Sequence, residues 1–232
     1  IGELCSNMLF ADYLLGWLEI VKVRVKSTTF GSYESMVKQT IEPYFRNKPI
    51  TLKELEARHI QQFYSEKLKT VKPNSVIHYH AVIHQALKYA MKTDLVAQNV
   101  AMKVDRPKKN DFQPVFLDAA ELQHLFEVVK GTKLELPVLV AAFYGLRRGE
   151  VLGLKWDAID FERGTLTIKR TVTSVSVGGK TQIIEQESAK TKSSMRTLPL
   201  VGRFKEYFAE VKAAQELSLI HISEPTRLAL IS

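Results

Sequence analysis

The sequence predicts a mainly helical N-terminal part followed by an α+β part, and three features carry that reading. Four amphipathic stripes at helical spacing fill the first hundred residues. A stretch without apolar periodicity, Asp105-Arg-Pro-Lys-Lys-Asn-Asp-Phe-Gln-Pro114, reads as a linker. Beyond Trp156 the apolar period shortens from that of a helix to that of a strand. At 232 residues the chain suits one large domain or two small ones.

The first stripe is Phe10, Leu14, Trp17, Leu18 and Val21. The second is Tyr33, Met36, Val37, Ile41 and Tyr44, which Pro43 and Asn47-Lys48-Pro49 are expected to close. Ile60, Phe63, Tyr64 and Leu68 form a third. Val76, Tyr79, Ile83, Ala86, Leu87 and Ala90 form a fourth, opening after Pro73-Asn74-Ser75. Four such helices with short connections make a small bundle. After the linker, Asp118-Ala-Ala-Glu121 has the form of a capping box, and Leu122, Leu125, Phe126 and Val129 should be buried behind it. Leu136 to Tyr144 is almost wholly apolar, which predicts a central helix. Thr165 to Arg170 alternates like a strand, and Thr171 to Val177 continues toward a Gly178-Gly179 turn. Gln182 to Glu185 and Met195 to Pro199 read as further short strands, and Arg203 to Glu216 as a last helix. There is no internal repeat.

Composition narrows the function. The chain is 45% hydrophobic and 25% charged, as globular proteins are, and 11 Gly with 8 Pro exclude a collagen-like or low-complexity chain. Its longest apolar runs are too short to span a bilayer, and no basic leader precedes an apolar stretch and cleavage site, so no membrane role is expected. A lone cysteine, Cys5, allows no internal disulfide and argues against a thiolate metal site; the cytoplasm is the expected compartment. The net charge of +8 is concentrated in residues 1–110, where 17 basic residues face 10 acidic ones. That asymmetry points to a first half that grips a polyanion, with a merely solvated basic surface as the alternative. Lys22, Arg24, Lys26, Lys67, Lys69 and Lys72, with Arg106, Lys108 and Lys109 in the linker, are the candidate phosphate contacts.

Several chemistries are absent. No glycine-rich loop precedes a Lys-Ser/Thr pair, no Gly-x-Ser-x-Gly elbow occurs, and no carboxylates are spaced for two metals. His78, His80 and His84 lie close together, with His80 and His84 on one helical face, but neither cysteine nor a Glu-flanked zinc pattern accompanies them. A solvated or DNA-facing role fits them better than a metal, and no cofactor is expected. The segment that stands out is Tyr144-Gly-Leu-Arg-Arg-Gly-Glu-Val-Leu-Gly-Leu-Lys-Trp156. Its spacing allows two readings for Arg147: a guanidinium fork for a phosphate, steadied by Glu150 three residues on, or an Arg–Glu pair that ties helices together.

Gly145 to Leu154, followed by Trp156, Asp157 and Asp160, resembles the first conserved box of the tyrosine recombinases, the phage-integrase family. In that likeness Arg147 matches the first catalytic arginine, Arg148 a non-catalytic neighbour, and Glu150 the acidic position that supports the active-site arginine. Ser188-Ala-Lys-Thr-Lys-Ser-Ser-Met-Arg-Thr-Leu-Pro-Leu200 resembles the hairpin that carries the family's catalytic lysine. Lys190 matches that lysine, with Lys192 as the alternative. The resemblance covers roughly Phe10 to Gln215. It implies a four-helix core-binding domain over residues 8–104, a linker over 105–115, and the first part of an α+β catalytic domain over 116–216. It further implies DNA cleavage through a 3′-phosphotyrosyl intermediate without metal or nucleotide energy, in a tetrameric synapse for the full-length enzyme.

The sequence also departs from that pattern. No His-x-x-Arg box occurs, and Tyr207, between Phe204 and Phe208, reads as core packing rather than as the nucleophile. Leu217-Ser-Leu-Ile-His-Ile-Ser-Glu-Pro-Thr-Arg227 resembles a translated transposon-derived sequencing adapter, so residues 217–232 are expected to be a non-native tail on a chain incomplete at its C-terminus. Residues 1–232 are accordingly expected to bind double-stranded DNA without cleaving it. A type IB topoisomerase shares the chemistry but fits the separate helical domain less well. The alternative from another class is a DNA-binding protein of integrase-like fold without catalysis.

Overall fold

The computed structural model describes residues 7–110, 113–187 and 195–219. Two compact units emerge: residues 1–114 with 175–182, and residues 115–174 with 183–232.

The first unit is helical apart from residues 175–182, the tip of a strand hairpin. Helix α1 spans Phe10–Lys22, α2 Ser27–Met36, α3 Glu42–Asn47, α4 Ala57–Lys67 and α5 Pro73–Lys92. A short 3₁₀ turn, Val100–Lys103, follows. The four predicted stripes face one core, except for Leu68, which follows the end of α4 and is exposed. Phe10 meets Phe45 edge-on with ring centroids 4.9 Å apart, and Phe63 lies 5.6 Å from Phe45. Burying each such ring stabilises the unit by roughly 1.5–3 kcal/mol. The Tyr13 hydroxyl donates to the Ala86 carbonyl at 2.6 Å, which ties α1 to α5. Pro43 does not end the second helix as expected. A π-helical turn, Val37–Ile41, joins α2 to α3, and Pro43 sits in the first turn of α3. The wider turn shifts the hydrogen-bond ladder by one residue, so the missing proline N–H and the ring are accommodated.

In the second unit α6 spans Ala119–Val129, α7 Glu135–Tyr144, α8 Arg148–Leu152 and α9 Phe204–Leu219. The capping box forms: Asp118 Oδ1 accepts from Glu121 N at 2.8 Å, and Glu121 Oε2 accepts from Asp118 N at 2.9 Å. Strands β1 (Ile159–Asp160), β2 (Thr165–Ile168) and β5 (Arg196–Pro199) make an antiparallel sheet in the order β1-β2-β5, with Ile168 opposite Arg196 and Thr165 opposite Pro199. Strands β3 (Arg170–Val177) and β4 (Lys180–Glu187) pair separately, so the described residues form two small sheets rather than one.

Two burial expectations are corrected. Of the α6 stripe only Val129 is fully buried; Leu122, Leu125 and Phe126 are half-buried. Helix α7 is not central, because only Leu136 and Val140 are buried and Phe143 is 57% exposed. An all-apolar sequence demands an apolar neighbour on every side, and among the described residues one side of α7 has none. Helix α9 continues through Leu219, three residues into the segment read as a tail; residues 220–232 lie outside the described residues.

Candidate functional site

Helix α7 ends at Gly145, whose φ of +60° is a left-handed conformation that costs glycine little. The reversal sends Leu146 into the core, 7% exposed, and leaves Arg147 in extended conformation at the N-cap of α8. Helix α8 lies very close to strand β3. A Cβ built on Gly153 would stand 2.6 Å from the Arg170 carbonyl oxygen, and one on Gly149 would stand 3.1 Å from that of Val172. The glycines flanking Glu150 therefore allow an approach that larger residues would prevent.

Glu150 is the organising group, its side chain only 3% exposed. Its Oε2 accepts from the Arg147 backbone N–H at 2.9 Å, and Oε1 accepts from Arg147 Nη1 at 3.1 Å. Arg196, from β5, adds a parallel fork: Nη1 to Oε1 at 3.1 Å and Nη2 to Oε2 at 3.0 Å. The Arg196 fork first, then the N–H and guanidinium of Arg147, hold the Glu150 carboxyl down at about 2. Two guanidinium groups thus share one buried carboxylate, leaving one positive charge in excess. The Arg147 side chain is 80% exposed and Arg196 30%, so the outward-facing cation is Arg147. Such a fixed, solvent-facing fork suits an anionic oxygen.

The sequence identified Arg147 and Glu150 but missed Arg196. The rest of the box is structural: Trp156 is buried and donates to Gln215 Oε1 at 3.1 Å, and Asp157 takes a bidentate pair from Arg170 at 2.7 and 2.8 Å. Lys190 and Lys192 lie outside the described residues. Tyr207 is half-buried, its phenol pushed up to about 12 by burial and by the nearby Glu135.

The basic residues of the first unit are distributed along α5. Lys67, half-buried over the Phe63 ring, and the exposed Lys69 and Lys72 stand at its N-terminal end. Arg24 lies over the Tyr89 ring, 5.0 Å from its centroid, in the last turn. Lys72 and Tyr89 are about 25 Å apart along the axis at 1.5 Å per residue. Between them Ile77, His80, Ala81, His84, Gln85 and Lys88, with Lys92 at the end of the helix, line two adjoining clefts. They share one helix face roughly 140° wide at 100° per residue. Arg106 and Lys109 flank that face from the segment after the 3₁₀ turn. Lys22 and Lys26 are exposed at the α1–α2 junction, and Lys108 is exposed in the segment beyond α5. Among the described residues no group of three or more His, Cys, Asp and Glu side chains is placed to hold a metal, and no helix is long and apolar enough to cross a membrane.

The family described as phage integrase, N-terminal SAM-like domain, matches residues 9–68. A tyrosine recombinase XerC-like protein of Caldanaerobacter subterraneus subsp. tengcongensis is 28% identical over 214 residues, 84% of this chain and 54% of that protein. Prophage integrase IntR of Escherichia coli strain K12 is 23% identical over 212 residues, covering 86% of this chain and 47% of the relative. The chain thus spans about half the length of the curated relatives it matches. A Tn1549 transposon integrase in complex with transposon right end DNA superposes with a TM-score of 0.70 at 17% identity, over 97% of this chain and 70% of that one. A lambda integrase dimer bound to a COC′ core site gives 0.66 at 20% identity, over 89% and 70%. These findings support the tyrosine recombinase, or phage integrase, family for this chain, and the fold is that of the integrases.

Proposed function

We propose that this chain belongs to a site-specific DNA recombinase. In this reading residues 8–104 form the DNA-gripping domain, 105–115 the linker and 116–216 the first part of the catalytic domain. The observation that carries the reading is the Glu150 carboxylate, which fixes Arg147 while leaving its fork open to solvent. Arg147 binds the scissile phosphate and offsets its developing negative charge, and Lys190 gives a proton to the departing 5′-oxygen. A tyrosine hydroxyl attacks the phosphorus, breaking the P–O5′ bond and forming a 3′-phosphotyrosyl ester; a 5′-hydroxyl reverses the step to exchange strands. The enzyme works on duplex DNA in the cytoplasm and assembles with copies of itself. The α5 face and its flanking cations supply duplex contacts.

The test has two arms on residues 1–232. A mobility-shift titration over rising salt is expected to show duplex binding that weakens steeply. Absence of binding at low salt by the folded protein overturns the reading. A nicked suicide duplex, which traps the covalent ester, is expected to give no adduct on denaturing electrophoresis, since in-line placement of a nucleophile supplies much of the rate. An adduct would reveal a nucleophile within residues 1–232, with Tyr207→Phe the first variant to examine.

A further inference from the structure

The paired histidines of α5 take no part in the proposed chemistry, yet they stand in a built environment. They line a cleft of about 820 Å³ between the middle of α5 and residues 101–109. Tyr64, fully buried, places its hydroxyl 2.9 Å from His80 Nδ1. Burial pushes the Tyr64 phenol up, so it keeps its proton and needs an acceptor. His80 is held below its ordinary range, first by burial and then by the nearby Arg106 and His84, so the ring is neutral. A neutral imidazole that accepts at Nδ1 carries its proton on Nε2. Tyr64 therefore selects the tautomer, and the Nε2–H has no protein acceptor among the described residues. The His84 ring stacks beside it, centroids 5.9 Å apart. Arg106 and Lys109 bring two positive charges to the cleft and Asp105 one negative charge. The sum is one positive charge beside a fixed neutral donor.

We propose that this cleft is a phosphodiester subsite for duplex DNA, with His80 Nε2–H, Arg106 and Lys109 donating to one backbone phosphate. The assignment rests on the DNA-binding reading above and adds to it a contact whose strength does not depend on charge. Neutral and cationic contacts differ in their salt signature. Losing a cation that neutralises one phosphate lowers the slope of log K against log salt by about 0.9, whereas losing a neutral hydrogen bond leaves that slope unchanged.

The experiment is fluorescence anisotropy with a labelled mixed-sequence duplex at near-neutral pH, from about 50 to 200 mM salt. Arg106→Gln is expected to reduce the salt slope by about 0.9. His80→Phe is expected to weaken binding about fivefold at every salt concentration with an unchanged slope, as the loss of one neutral hydrogen bond does. His80→Gln accepts from Tyr64 through Oε1 and donates through Nε2, so it is expected to restore most of the affinity. Should His80→Phe fail to melt like the wild type, Arg106→Gln and His80→Gln carry the test, because Arg106 is exposed. Wild-type affinity and slope in both His80→Phe and Arg106→Gln would overturn the subsite while leaving the proposed function standing. Wild-type protein that never binds the duplex would overturn both. In a second arm the His80 Nε2–H resonance is followed by NMR as inorganic phosphate and then duplex are added. A shift with phosphate that duplex does not displace would show a free-anion site and overturn the DNA assignment.

Discussion

Glu150→Gln removes one charge while keeping the shape of the side chain, and its effect can be worked from the geometry. The carboxylate accepts four hydrogen bonds, two from Arg196 and two from Arg147, at 2.9 to 3.1 Å. An amide leaves one acceptor oxygen and turns an NH₂ group toward guanidinium donors. The carboxyl is held at about 2 against an ordinary 4.5, and at 1.36 kcal/mol per pKa unit that depression corresponds to about 3 kcal/mol. Arg147 is 80% exposed and its share is screened, so the expected loss is about 2–3 kcal/mol, most of it through Arg196. The folded-state pKa is depressed, so this stabilisation is fully present above about pH 4.5 and is lost as pH falls toward 2. Each unit contains one tryptophan, Trp17 in the first and Trp156 in the second. Urea unfolding followed by Trp156 fluorescence in a Trp17→Phe background therefore reads the second unit. Near neutral pH the variant should unfold at lower urea. Between pH 4.5 and 2 the parent should lose up to about 1.4 kcal/mol per pH unit that the variant does not. A loss below about 1 kcal/mol near neutrality, or identical acid slopes, would refute the central role given to Glu150.

Gly153→Ala places a methyl group 2.6 Å from the Arg170 carbonyl oxygen and 2.8 Å from its carbon, both backbone atoms that cannot swing aside. A loss of about 1–3 kcal/mol in the same urea assay is expected, and a neutral result would mean that α8 does not approach β3 this closely. Arg196→Lys replaces a two-pronged fork by a point charge and should let the Glu150 carboxyl titrate upward from about 2, which carboxyl NMR measures. Arg147→Lys should change stability by less than about 1 kcal/mol, since its side chain stands in solvent. Equal losses at positions 147 and 196 would mark Arg147 as a helix-tying pair rather than an outward-facing fork.

The parts of this molecule written locally in sequence were legible there. The Asp118–Glu121 box, the four apolar stripes, the strand that opens at Thr165 and the Arg147–Glu150 spacing are all fixed by residues a few positions apart. Arg196 was not, because its partner lies 46 residues away and the β2–β5 register brings the two together. One signal was available: Arg196 shares the half-buried side of β5 with Leu198, and an arginine on the inward side of a strand requires an acid. Pro43 misled because a π turn is invisible to a rule built on α-helical geometry. The exposure of α7 was illegible for another reason, since apolar composition says what a helix wants to meet and not what it meets.

The pairing of Ile168 with Arg196 also sets an order of events in folding. Helices of the first unit touch neighbours that are near in sequence, as α2, the π turn and α3 do, and such contacts close quickly. Joining β2 to β5 means closing a loop of 27 intervening residues, a slower step. Until that loop closes, Glu150 has only Arg147 as a partner and retains much of its hydration. The carboxylate acquires its second guanidinium only once the loop has closed and the β2–β5 register is set, after the slow step, so the Arg196 interaction should slow unfolding far more than it speeds folding. Substitutions at Arg196 would then shorten the lifetime of the folded second unit while leaving its rate of formation nearly unchanged.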